Sequence, residues 1–139
     1  MKLRVGAKGL ISNADGKVLV VQEAADAYHE GTNPGKWDVV GGRIDEGEKL
    51  LDGLRREIKE ESGLDVAIGS IIGATETFPT INGVAHHIIR VYYACSTDKT
   101  EVVLSEDHDQ YQWIDPKDHA SLDLMSDLHP VFDNYLKLV

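Results

Sequence analysis

A chain of 139 residues has the length of one domain, since domains hold roughly 100–200 residues, and residues 1–139 are read as a single unit. Its 42% hydrophobic and 27% charged residues exclude a disordered or fibrous chain, and no apolar run reaches the ~20 residues of a membrane span. With 14 Lys and Arg against 24 Asp and Glu the net charge is −10, which argues against a duplex nucleic acid partner, and the lone Cys95 fits a reducing, cytoplasmic setting.

Lys2, Arg4 and Lys8 interrupt the start before a signal-like apolar segment develops, and Leu3–Ile11 reads instead as a strand. Ser12–Gly16 is a turn, Lys17–Gln22 a more buried strand, and Ala24–Lys36, with Gly31, Asn33, Pro34 and Gly35, a loop. Trp37–Val40 is a short strand and Gly41–Gly47 a loop. Glu48 to Ser62 is the clearest helix, with Gly63 as its C-terminal stop. Asp65–Phe78 and Gly83–Ala94 are strand-rich and joined by a turn over Pro79–Gly83. Glu101–Leu104 and Gln110–Ile114 read as further strands, and about Leu128–Leu138 as a second helix, with Val131, Tyr135 and Leu138 at helical spacing. Strands on either side of a central helix predict an α/β fold, a sandwich with a mixed sheet.

On a helical wheel Leu50, Leu51, Leu54 and Ile58 share the core-facing arc. Glu61 falls inside that arc and Glu57 on its edge, although carboxylates are rarely buried unless paired or bound to metal. Glu57, Glu60 and Glu61 stand at i, i+3 and i+4, where like charges repel by roughly 0.2–0.5 kcal/mol per pair. They also occupy the helix C-terminal half, where the macrodipole disfavours negative charge. A solvated helix face with ion pairs to Arg55, Arg56 and Lys59 is the plainer explanation of such a cluster. A divalent cation is the other, because Mg²⁺ prefers carboxylate and phosphate oxygens.

The surrounding pattern decides between them. From Gly42 the chain runs Gly42, Glu48 six positions on, then Arg56-Glu57-Ile58-Lys59-Glu60-Glu61-Ser62-Gly63-Leu64. This resembles the Nudix box, GX5EX7REUXEEXGU with U a bulky aliphatic, at every specified position. Nine constrained positions coincide by chance on the order of once in 10⁹–10¹⁰ windows. Gly35-Lys36-Trp37-Asp38 before Gly41-Gly42 is similar to the family's lead-in strand, with Val40 where that lead-in usually has Pro.

The resemblance implies a Nudix-type α/β/α sandwich and hydrolysis of a nucleoside diphosphate derivative with Mg²⁺ or Mn²⁺. It implies that Glu57, Glu60, Glu61 and the Gly41 carbonyl hold metal, lowering the pKa of bound water. Arg56 and Glu48 would orient the carboxylates. The general base would be Glu57 or an acid of a distant loop, Glu106 or Asp107. Trp37, Tyr28 and Phe78 are candidates to stack on a base or sugar, and Arg43 and His108 to touch substrate. His86 and His87 adjoin in a strand and must face opposite sides, so at most one lines a site. ADP-ribose-like and nucleoside triphosphate substrates both stay open: Pro79, 15 residues beyond Leu64, resembles ADP-ribose pyrophosphatase spacing, while a turn alone also explains it. A non-catalytic Nudix-like domain that binds nucleotides or regulates a partner is the alternative, although such domains commonly lose box carboxylates. Family members are often homodimers, which makes a second copy of the chain a candidate partner beside the small-molecule nucleotide.

Overall fold

The computed structural model describes residues 1–24 and 35–139. In chain order the elements are β1 (Lys2–Ser12), β2 (Val18–Glu23), β3 (Trp37–Asp38), β4 (Val40–Arg43), α1 (Leu50–Ser62), β5 (Ala67–Thr77), β6 (Thr80–Ile81), β7 (Val84–Ser96), β8 (His108–Ile114), a short 3₁₀ helix (Pro116–Ser121) and α2 (Leu128–Leu138). The mixed sheet runs β3-β2-β1-β7-β5, with β4 added on β1, β6 on β7 and β8 on β2. Most of the loop expected over Ala24–Lys36, with Tyr28, lies outside the described residues.

β1 is the spine. It pairs in parallel with β7 along its whole length, from Lys2 opposite His86 to Ser12 opposite Ser96. On its other edge it meets β2 only at Ser12–Val18, beside a turn in which Asn13 Oδ1 accepts from the Asp15 and Lys17 amides. β2 then diverges and β4 takes its place, with Gly6 opposite Arg43 and Lys8 opposite Gly41. That exchange of partners opens the sheet where the box begins.

Alternation assigns the two faces. Val18 and Val20 join Leu10 and Tyr92 beneath α2, where Val131, Phe132 and Tyr135 pack. Leu19 and Val21 join Ala7, Ile11 and Cys95 beneath α1, where Leu54 and Ile58 pack. Helices on both faces explain why β2 reads as an unbroken apolar run, and the α/β/α sandwich with its mixed sheet stands. Among the described residues no helix is long and apolar enough to cross a membrane.

Five expectations need correction. Glu101–Leu104 is not a strand: Val102 is buried beneath α1, and the Val103 amide bonds the Ser62 carbonyl at the helix end instead of a neighbouring strand. The helix begins at Leu50 rather than Glu48, because the Glu48 amide and carboxylate both turn back to Asp45. The segment after Val40 is not wholly loop, since β4 continues through Arg43. Leu51 is exposed, and Gly53 takes its place on the buried face. The turn at Pro79–Gly83 is tighter than expected, with Asn82 and Gly83 both at positive φ (50° and 75°), the geometry of a two-residue Asn-Gly hairpin.

Candidate active site

α1 ends on Gly63 at φ 74°, whose amide bonds the Lys59 carbonyl, so the helix stops one residue after its last carboxylate turn. Two glycines set how closely the glutamates approach the backbone. A Cβ on Gly53 would stand 2.7 Å from Glu48 Oε1 and 2.6 Å from Ile44 Cδ1. A Cβ on Gly42 would stand 2.5 Å from Glu57 Oε2. Both glycines therefore seat a carboxylate against main chain.

Arg56 joins these carboxylates. Its Nε and Nη2 donate to the two oxygens of Glu48 at 2.8 and 2.9 Å, a bidentate fork, and Nη1 donates to Glu57 Oε1 at 3.0 Å. Nη1 also reaches Glu60 Oε2 at 3.4 Å, and Nη2 the Arg43 carbonyl at 3.2 Å. The guanidinium holds the Glu48 carboxyl down at about pKa 2. Glu57 goes the other way: burial raises its pKa, with Arg56 opposing.

Glu61 is the most buried of the three, 12% exposed against 17% for Glu57 and 58% for Glu60. Burial pushes its carboxyl up to about 8 against the pull of Lys8, with Glu57, Asp38 and Asp107 adding repulsion. Its neighbour His108 places Nδ1 3.2 Å from Glu61 Oε2, but off the direction of a hydrogen bond, which leaves that nitrogen buried without a partner. Burial lowers the His108 pKa. The neutral ring is the form that this pocket favours.

Beneath them lies an ion pair that the sequence pattern did not reveal. Lys8 Nζ donates to Asp38 Oδ2 at 2.6 Å and to the Val39 carbonyl at 3.4 Å, while Asp38 Oδ1 accepts from the Val39 amide. Burial pulls the Lys8 pKa down, but Asp38 and Glu61 more than offset that and the net shift is upward. The signal was present in alternation: Lys8 shares a strand face with Leu10, a core position.

A cavity of about 610 Å³ opens beside this pair on the sheet face that carries α2. Lys8, Asp38, Gly42, Arg43, Arg90, Tyr92 and the Met125–Asp127 segment line it. His86 lines it too, while His87 turns away, stacking on Phe78 with centroids 4.4 Å apart. Phe78 is 61% exposed and lies outside the lining, and Trp37 packs against the core beneath α2. Asp107 offers its carbonyl to the Ala24 amide and lies close enough to raise Glu61, whereas Glu106 sits exposed in the same turn.

The donor set suits a hard divalent cation. Among the described residues no three His, Cys, Asp or Glu side chains already converge as a cage, because the carboxylates stand apart with Arg56 between them. A buried carboxylate whose charge is disfavoured, next to a partnerless ring nitrogen, is nevertheless the environment that a cation would relieve.

Residues 2–135 match the family model described as the NUDIX domain. The chain is 33% identical over 122 residues to the nucleoside triphosphatase NudI of Escherichia coli, covering 83% of this chain and 84% of that one. Its fold is similar to the crystal structure of a MutT protein from Methanosarcina mazei, with TM-score 0.85, 24% identity and coverage of 98% and 94%. It is also similar to the E. coli dihydroneopterin triphosphate pyrophosphohydrolase, with TM-score 0.77, 19% identity and full coverage of both chains.

Proposed function

The chain belongs to the Nudix family of hydrolases, and from that premise we propose that it cleaves the diphosphate linkage of a nucleoside triphosphate or related nucleoside diphosphate derivative. The observation that carries this is the Arg56 clamp, which ties Glu48 to Glu57, with Glu57 seated against Gly42, a residue that lines the cavity. Glu57, Glu60, Glu61 and the Gly41 carbonyl are the groups that would hold Mg²⁺, or Mn²⁺ in its place; when bound it supplies charge neutralisation on the diphosphate and a more acidic water.

The chain's own residues do the rest. Glu48 fixes Arg56, and Arg56 fixes the Glu57 carboxylate, so that the acidic turn is ordered before substrate arrives. Glu57, or an acid of the Glu106–Asp107 turn, takes the proton from the attacking water. Arg43 presents positive charge to the anionic substrate from the cavity side. The likeness to NudI favours triphosphates over ADP-ribose.

Phosphate release from a panel of nucleoside triphosphates, ADP-ribose and dinucleoside polyphosphates, with and without Mg²⁺, tests the reading. Mg²⁺-dependent turnover, fastest on a triphosphate, is expected. Absence of turnover on every member overturns it in favour of a nucleotide-binding domain.

A further inference from the structure

The cavity lining carries an excess of positive charge. In a chain of net charge −10, five basic residues line it against three acidic ones. Two of the five have carboxylate partners, Lys8 with Asp38 and Lys36 with Asp123. The other three are arginines: Arg4, Arg43 and Arg90. Among the described residues none of them pairs with a carboxylate, and the Arg90 guanidinium bonds only the Thr77 hydroxyl, at 2.9 Å. Guanidinium groups without a carboxylate partner can take an anion through charge-assisted, bidentate hydrogen bonds.

Their placement is ordered. Gly6 of β1 lies opposite Arg43 of β4 on one edge and opposite Arg90 of β7 on the other. Strands lie about 4.8 Å apart, so the two arginines flank Gly6 from backbones about 10 Å apart. Gly6 contributes no side chain: a Cβ there would stand 3.3 Å from the Gly42 carbonyl oxygen and 3.6 Å from Arg90 Cγ. Arg4 stands two residues further along β1 and also lines the cavity. The result is a notch with a bare floor and guanidinium walls. Its rung lies two residues, or about 6.6 Å, from the Lys8–Gly41 rung beside the glutamates.

We propose that this notch, with Gly6 as its floor and Arg43 and Arg90 as its walls, holds a second phosphate group of the substrate, one outside the pair that is cleaved. The inference rests on the hydrolase reading above only for the location of the cleaved pair. Two sources present the same chemistry, the terminal phosphate of a polyphosphate chain and a phosphomonoester on a ribose.

Kinetics separate the sources. ADP-ribose is compared with its 2′-phosphorylated form, and with a nucleoside triphosphate. Wild type is expected to favour at least one phosphate-bearing member by tenfold or more in kcat/KM. Arg43→Gln and Arg90→Gln are each expected to cut that ratio at least fivefold, with Arg90→Lys retaining part of it. Turnover with no such preference, or a preference that both variants keep, overturns the notch and leaves the hydrolase reading intact. If no member is turned over, the hydrolase reading falls and binding still decides the notch. In EDTA, where the glutamates repel anions, titration with inorganic tripolyphosphate is expected to show binding by wild type that weakens at least fivefold in each Gln variant. Equal binding by all three proteins, or none by wild type, overturns the proposal.

Discussion

The Glu57 carboxylate rests on Gly42 so closely that any β-carbon at position 42 would stand 2.5 Å from Glu57 Oε2. Gly42→Ala must therefore push Glu57 out of the grip of Arg56. A displacement of about 1 Å at reacting groups costs about 10²-fold in rate, so kcat is expected to fall by that order. Because the clash falls on the far end of a flexible side chain, stability should change little. Steady-state kinetics beside a melting curve check both, and a variant that melts lower yet keeps kcat contradicts the placement.

Arg56→Lys is expected to lower kcat by about 10–100-fold. Lys presents a point charge in place of the fork that spans Glu48 and Glu57. The midpoint at neutral pH should move little, because the cluster is partly exposed. The acid limb should change. Glu48 titrates near 2 in the folded chain and higher when unfolded, so its stabilisation is present above the ordinary carboxylate range and is lost as pH falls through about 2. Acid titrations of both proteins, followed by circular dichroism, should show a shallower loss in the variant over that window.

Glu61 gives the opposite slope. Its folded pKa of about 8 lies above the unfolded carboxylate value near 4.5, so between those values the folded state binds the extra proton. Stability of the metal-free protein therefore falls as pH rises through that window and levels off above it, by an amount on the order of a few kcal/mol. Glu61→Gln should remove this slope, raise the midpoint in EDTA at pH 8, reduce the increment gained on adding Mg²⁺ and damage activity. Melting in EDTA and in Mg²⁺ across pH 5–9 checks it. A lower midpoint in EDTA with an unchanged Mg²⁺ increment would make Glu61 structural.

The box carboxylates stood out because Gly42, Glu48, Arg56 and the three glutamates recur at one fixed spacing; their placement alone, like charges toward a helix C-terminus, suited a solvated face as well. Leu51 was misplaced because the wheel weighs hydrophobicity alone. At Gly53 the deciding quantity is empty volume, which lets Ile44 and Glu48 close onto the helix. Arg90 was illegible for another reason. Its relation to Gly6 and Arg43 exists only through a parallel pairing between distant strands, and no local period encodes that partner.

Asp38→Ala tests the hidden ion pair. Removing the carboxylate leaves the Lys8 ammonium buried without its 2.6 Å partner, and breaking such a pair costs about 3–5 kcal/mol. Lys8→Met combined with Asp38→Leu removes both charges and is expected to recover much of that loss. Urea titrations of the single and double variants measure the coupling.

Hydrolysis in ¹⁸O-labelled water is expected to place the label on a phosphate product. The proposed mechanism directs the attacking water at phosphorus, with the Arg56-clamped carboxylates seated against Gly42 beside the cavity lining. Mass spectrometry of the products decides it, and label found only on the sugar contradicts the reading.

The parallel pairing of β1 with β7 also constrains how the protein comes into being. Every partner in that ladder is separated by the same long stretch of chain, ending at Ser12 opposite Ser96. Closing so large a loop is entropically slow, and parallel contacts of high sequence separation delay the folding transition. During synthesis the first strand emerges early and must wait, its apolar Leu10 and Ile11 unsheltered, until β7 has left the ribosome. Gly6, Lys8 and the β4 glycines therefore reach their final arrangement only after most of the chain has been made. Nascent fragments that stop short of β7 should be targets for chaperones and proteases.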